Sequence, residues 1–394
     1  MSTAGASSTP RRGRAFDRLG LVLGGAGVLA LGALPFVTAK ASRIASGHAL
    51  GLGEALPLPG AVLVAAIALT VSLLVSRATS PRRRLLLALA VVATLLVAIG
   101  AAAAGLTPPG NRTVRIAPGT GFWTALLCYA LLATDALSRL RPKPLTRVGC
   151  LALAGAVFGI ALRTGWFDHL SILREYAAND STFAREARTH ALLAFGSVAV
   201  ALVVGLPLGV VCHRWPVLRA GVLKLLSFVQ TVPSIALFGV LMVPLGWLAT
   251  TYPAVGALGI HGIGPAPAAV ALVLYALLPI VANTVTGLGR VSPAAVEAAR
   301  GMGLTRGQVL TEIEAPLAAP VILTGVRIVV VQNVGLATIA ALIGGGGFGT
   351  FVFQGVGQTA IDLVLLGAIP TVALAFASAV VLDAVIERIQ GGRT

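Results

Sequence analysis

The apolar runs limit what this chain can fold into more than any other feature. Ten of them stand out, at residues 19–39, 60–76, 85–105, 121–137, 148–162, 191–211, 225–249, 266–288, 321–343 and 363–385. A helix rises 1.5 Å per residue, so about 20 apolar residues cross a hydrocarbon core about 30 Å thick. In lipid every backbone polar group must find a partner inside the protein, which leaves helices or closed barrels, and long runs without strict alternation are helices. Charged residues make up 11% of the chain, less than half the quarter usual in soluble proteins. The expectation is an all-α polytopic membrane protein with about ten transmembrane helices. A soluble fold would hold a great deal of helix with no polar face.

The shortest run, 148–162, is flanked by Arg147 and Arg163, which can reach the two interfaces. An arginine-rich head precedes the first run. A cleaved signal peptide has an apolar region of about 7–15 residues, so the longer run at 19–39 reads as an uncleaved span.

A net charge of +16 raises the question of nucleic acid. The basic residues sit in short clusters between spans, "RATSPRRRL" and "SRLRPKPLTR" among them. That is the pattern of cytoplasmic loops under the positive-inside rule, and no nucleic-acid partner is expected. With the N-terminus inside, the inside segments hold 20 Lys/Arg and the outside segments 8, with Arg327 inside a span. Both termini are then cytoplasmic. Cys128, Cys150 and Cys212 form no CxxC, and the five histidines have no ligand spacing, so neither a metal nor a disulfide framework is expected.

The same orientation puts residues 292–318 in the cytoplasm, where they form a polar interruption between long apolar runs. Ser292 before Pro293 is an N-cap followed by proline at the first helical position. Gly301 and Gly303 end the short helix that follows. Thr305 and Gln308 have capping-box spacing and start a second helix, with an apolar stripe of Val309, Leu310 and Ile313, which Pro316 is expected to stop. The product is a helix–turn–helix bracket. Glu297, Glu312 and Glu314 are poorly suited to an anionic bilayer surface and suit a protein partner.

Glu297, Ala298, Ala299, Gly303, Ile313 and Pro316 resemble, in type and spacing, the EAA loop of ABC importer permeases, with Ala315 where leucine is usual. The resemblance extends over about residues 190–390. "SFVQTVPSIALFGVL", "LVLYALLPIVANTVTGL" and "AALIGGGGFGTFVFQG" look like the glycine betaine, carnitine and choline branch. It implies a five-helix type I importer core at 191–394, with 292–318 as the loop that fits a groove on an ATPase subunit. It also implies a second permease subunit, an extracytoplasmic binding protein and a place in the bacterial inner membrane. Residues 1–165 look like the extra N-terminal spans of longer members, joined by an outside connector at 166–190.

Polar groups within spans are costly unless they face one another or water. Gln230, Thr231, Pro233, Ser234, Asn283 and Thr284 are therefore candidates for a translocation pathway or gate. Pro233 and Pro279 should kink their spans and free carbonyls. For Gln332 and Asn333, packing and pathway are both open. Arg327 is expected to reach the cytoplasmic interface. "GGGGFG" at 344–349 is either a re-entrant gate element or a tight hairpin.

The only lysines, Lys40, Lys143 and Lys224, are followed by Ala, Pro and Leu, so no Gly-Lys-Ser/Thr nucleotide loop exists. ATP hydrolysis is expected from another polypeptide, and no catalytic residues are assigned here. The competing reading is an ion-coupled secondary transporter of small amines or amino acids. Its proton-coupled form wants a carboxylate deep in a span, whereas Asp135 and Asp383 lie near cytoplasmic ends. A chain that is 5% aromatic, with scattered tryptophans, offers no cage for a quaternary ammonium group. Selectivity is expected in the binding protein, and the sequence leaves the exact substrate open.

Overall fold

A computed structural model describes residues 17–42, 45–77, 79–111 and 113–391. The arginine-rich head before the first span and Arg393 lie outside the described residues. The chain forms two compact units, Met1–Pro142 with Ala156–Arg174, and Lys143–Gly155 with Glu175–Thr394.

The first unit contains α1 (Arg18–Ala33), β1 (Val37–Lys40), β2 (His48–Leu50), α2 (Leu52–Ala55), α3 (Leu58–Val75), α4 (Pro81–Leu106), β3 (Arg115–Pro118) and α5 (Thr120–Leu140). Glycine lets α1 lie close against its neighbours: a Cβ added at Gly20 would stand 2.4 Å from the Val75 carbonyl oxygen of α3. Tyr129 of α5 is fully enclosed, with its hydroxyl 2.8 Å from that of Ser72 on α3. The Arg84 side chain, 3% exposed, lies between Asp17 and Asp135, 3.0 Å from the latter. Burial alone would raise the Asp17 carboxyl, yet the Gly20 N–H and the Arg84 guanidinium hold it below the usual carboxylate range.

The expected first span, 19–39, needs correction. The helix ends at Ala33, and Val37–Lys40 pairs with both β2 and β3 in a three-stranded antiparallel sheet. Pro35 disfavours helix at Leu34, and the β-branched Val37 and Thr38 suit a ladder.

Next come α6 (Pro144–Arg163), which contributes residues to both units and has no buried residue, and α7 (Ser171–Ala178). In the second unit α8 (Asp180–Ala191) runs through a π-helical turn, Leu192–Gly196, into α9 (Ser197–Arg214). Then follow α10 (Pro216–Thr231), α11 (Ser234–Thr251), α12 (Pro253–Ala257), α13 (Pro265–Gly289), α14 (Pro293–Gly301) and α15 (Arg306–Gln308). A π-helical segment, Val309–Glu314, leads into α16 (Ala315–Ala337), and a 3-10 turn, Ile339–Ile343, precedes α17 (Gly349–Gly357) and α18 (Ile361–Gly391). Among the described residues nine helical stretches are long and apolar enough to cross a membrane, and α1 is a further apolar helix of 16 residues. Five of the nine lie wholly within the second unit. The all-α polytopic expectation is met.

Helix α13 is the centre of the second unit, with α9 and α16 against it. Gly205 and Gly209 of α9 receive Ile280 and Thr284, one turn apart on α13. A Cβ at Gly209 would stand 2.5 Å from that of Thr284. Small residues at such a crossing let backbones approach, which is where lipid-embedded helices gain most of their packing.

The expected seventh span, 225–249, is in fact two helices. Val232 is extended (φ −69°, ψ 130°) because Pro233 disfavours the α conformation in the residue before it. Residues 180–190, expected within an outside connector, instead extend the next helix, with Glu186 and His190 buried. Gly344, Gly346 and Gly347 all have positive φ, and the Gly347 N–H donates to Glu186 Oε2 at 2.7 Å. Phe348 lies 4.9 Å from the His190 ring and 5.4 Å from that of Phe183. Segment 344–349 is thus a turn closely packed on α8.

Candidate functional site

The bracket is built from α14, a glycine turn and the head of the long helix Arg306–Ala337. Ser292 occupies the N-cap of α14 without a side-chain cap bond, and Pro293 is its first residue. At the other end Gly303 N–H donates to Arg300 O at 2.9 Å, and Leu304 N–H to Ala299 O at 3.2 Å. That pair of bonds is a Schellman ending, and Gly303 (φ +86°) provides its left-handed residue. Gly301 remains helical, so Gly303 alone makes the turn. Thr305 N–H donates to Gln308 Oε1 at 2.9 Å and Gln308 N–H to Thr305 Oγ1 at 3.3 Å, closing the expected capping box.

Pro316 does not stop the second arm. The helix passes through it, because Val309–Glu314 is already wound as a π-helix in which the Ala315 N–H reaches back to Leu310 O. The wide turn resets the ladder where proline has no N–H to give, and relieves its clash with the preceding turn. The second arm of the bracket is consequently the same rod as α16.

Glu297, Ala298 and Gly303 are exposed, Ala299 is buried, and Ile313 and Pro316 are half-buried. The three glutamates do not gather on one surface: Glu297 and Glu312 are exposed, whereas Glu314 is buried and paired with Arg214 at the end of α9. Arg214 gave no signal in the sequence, since nothing local links residues 100 positions apart.

The pathway candidates separate into two groups. Gln230 Nε2 donates to Tyr275 O at 2.9 Å, and the Tyr275 hydroxyl donates to Val232 O at 2.6 Å. Tyr275 lies four residues before Pro279, so its carbonyl is the one that proline leaves without a helical donor. Gln230 therefore satisfies a vacancy made by Pro279 and clamps the α10–α11 break onto α13. Thr231 and Pro233 are exposed and Ser234 is half-buried. Asn283 and Thr284 lie about 12 Å further along α13 at 1.5 Å per residue. Thr284 is buried, with its hydroxyl on Ile280 O at 2.8 Å. Asn283 donates to Pro279 O at 2.8 Å and packs over Gly325 of α16.

Asn333 is buried and donates to Ser197 Oγ at 2.8 Å, a helix-to-helix bond, while Gln332 is half-buried. Arg327 meets Asp383 of α18 at 2.9 Å. Asp135 and Asp383, the two acids of the expected spans, are each paired with arginine. Among the described residues no group of His, Cys, Asp and Glu is arranged to hold a metal ion.

Residues 17–173 match the family model of the N-terminal domain of the ABC transporter permease YehY. Residues 201–391 match that of the binding-protein-dependent transport system inner membrane component. The osmoprotectant import permease protein OsmW of Salmonella typhimurium is 43% identical over 206 residues, covering 51% of this chain and 86% of that protein. The glycine betaine/carnitine/choline transport system permease protein OpuCD of Bacillus subtilis is 33% identical over 201 residues, 51% of this chain and 81% of its own. A solved inward-facing structure of the methionine ABC transporter MetNI aligns at 22% identity with a TM-score of 0.42, over 52% of this chain and 95% of that one.

Proposed function

The chain belongs to the binding-protein-dependent permeases, the membrane subunits of ABC importers, and on that premise we propose that it carries glycine betaine or related quaternary-amine osmoprotectants into the cell. The substrate class is supported by similarity to permeases named for osmoprotectants, carnitine and choline. A cytoplasmic ATPase, a second permease of the same or a homologous kind, and an extracytoplasmic binding protein complete the proposed importer. The lack of a Gly-Lys-Ser/Thr loop fits a separate ATPase.

One observation carries the coupling reading. The exposed Glu297–Ala298 end of the bracket is joined through a glycine turn to a helix that continues without interruption into α16. Force applied to α14 by an ATPase groove therefore has a stiff route into a spanning helix. The Arg214–Glu314 pair ties the same rod to the end of α9. The exposed Thr231 and Pro233, at the break held by Gln230 and Tyr275, are the proposed gate element. Asn283 and Thr284 transmit motion between α13 and its neighbours in this proposal.

Purification from the native membrane in mild detergent tests the reading. A Walker-type ATPase should accompany the chain, and Glu297→Ala should reduce its retention several-fold. Reconstituted with that ATPase and a binding protein, the chain should import glycine betaine only with ATP. Sodium-driven uptake by the chain alone would replace this account with a secondary carrier.

A further inference from the structure

A cleft of about 590 Å³ opens beside the bracket, lined by Arg214, Arg300, Arg306, Gly307 and Leu310. Three arginines line it, from the end of α9, the end of α14 and the start of α15. Arg214 gives one nitrogen to Glu314. Neither Arg300 nor Arg306 has an ion pair among the described residues. One carboxylate against three arginines leaves a net positive charge around a shared space, which attracts an anion.

We propose that this cleft binds a phosphate-bearing anion, supplied by the inner leaflet as the headgroup of an anionic lipid. Guanidinium forks match phosphate oxygens in pairs, which is the chemistry that favours phosphate over chloride here. The remaining lining residues are Gly307, which adds no side chain, and Leu310, which adds an apolar surface suited to the glycerol edge of a lipid.

Position favours a lipid over a soluble ion. Arg214 lies three residues after the apolar run 191–211, so the cleft begins near the level where that helix leaves the bilayer. Immediately after it Trp215, Val217 and Leu218 are exposed, Val217 at 90%, next to Arg219 and Lys224 on α10. An exposed aromatic with aliphatic and basic residues is the composition of a spanning helix where it enters a membrane interface. The positive-inside distribution assigns this side to the cytoplasm. A headgroup held by Arg300 and Arg306 against Arg214 would bridge both arms of the bracket to α9, which makes lipid composition an input to coupling. Such a headgroup site depends neither on the substrate nor on which ATPase docks.

The full-length chain in nanodiscs of phosphatidylcholine with graded phosphatidylglycerol, read by native mass spectrometry, tests this. Wild type should retain phosphatidylglycerol in preference to phosphatidylcholine. An arginine near a membrane surface contributes about a fivefold factor in affinity, so R300Q/R306Q should lose about 25- to 30-fold. R219Q removes a basic residue of the same surface outside the cleft and should stay within twofold. Displacement of the lipid by millimolar inorganic phosphate, and not by equal chloride, would keep the anion site and assign it to a soluble phosphate. Equal losses in R219Q and R300Q/R306Q would reduce the effect to general surface charge and overturn the site. Unchanged lipid retention in R300Q/R306Q, with loss of ATPase retention, would make these arginines a protein contact and also overturn it.

Discussion

Replacing Gln230 with leucine probes the join between the α10–α11 break and α13. Leucine is close to glutamine in size but donates nothing, so the Tyr275 carbonyl, already deprived of its helical donor by Pro279, is left unpaired. A neutral hydrogen bond contributes about 1 kcal/mol net, an unsatisfied buried carbonyl costs about 1–3 kcal/mol, and interhelical bonds in membranes average about 0.6 kcal/mol. Because the site is half-buried, Gln230→Leu should cost about 1–2 kcal/mol, or roughly 2–6 °C in the thermal midpoint. The decisive comparison is in the Pro279→Ala background. Alanine restores an N–H four residues after Tyr275, so the carbonyl regains its helical partner and Gln230 becomes dispensable. The same Gln230→Leu change should then cost close to nothing, a coupling of about 1 kcal/mol in the four-protein cycle. Thermal unfolding of the four proteins in one detergent measures it. Costs that add within about 0.3 kcal/mol would refute the vacancy argument. Equal loss of transport in both backgrounds, without loss of stability, would instead make Gln230 a pathway residue.

Two further outcomes are expected. Gly303 has open space around it, so its requirement is purely one of backbone: Gly303→Asn should keep ATP-driven uptake within about twofold, whereas Gly303→Val should abolish it and leave membrane insertion, measured by protease protection, intact. Glu314→Gln leaves Arg214 without its carboxylate. Since that arginine is about a third exposed, water offsets much of the loss and the thermal midpoint should fall by an amount equivalent to about 1–2 kcal/mol, part of which the Arg214→Glu/Glu314→Arg exchange recovers.

Much of the architecture was legible because lipid makes it local. A run of about 20 apolar residues must form its own hydrogen bonds, so the expected span 266–288 appears as Pro265–Gly289 and 121–137 as Thr120–Leu140. The bracket was legible for the same reason. Its N-terminal proline, its capping box and its left-handed glycine are settled within a few residues of one another. Most of what failed depended on distant partners. The first span stops early because residues 37–40 pair with strands at 48–50 and 115–118, and apolar composition cannot distinguish an end of helix from a strand that continues it. The rule that proline stops an α-helix does not hold at Pro316, because the π-helical winding before it removes the clash. Glu186 and His190 fall within the connector expected at 166–190, and nothing in their local sequence marks them as buried. The turn at 344–349, more than 150 residues away, is what buries them.

Sequence by itself thus determined that the chain is a many-helix membrane protein with a polar helix–turn–helix bracket, because hydrophobic length and turn chemistry act over short range. Only the tertiary structure decided which polar groups answer one another. Gln230 meets the carbonyl vacated by Pro279, Glu314 meets Arg214, and Asn333 meets Ser197, because a buried polar group in a low-dielectric interior is compelled to find a partner and helix packing alone determines which one lies within reach.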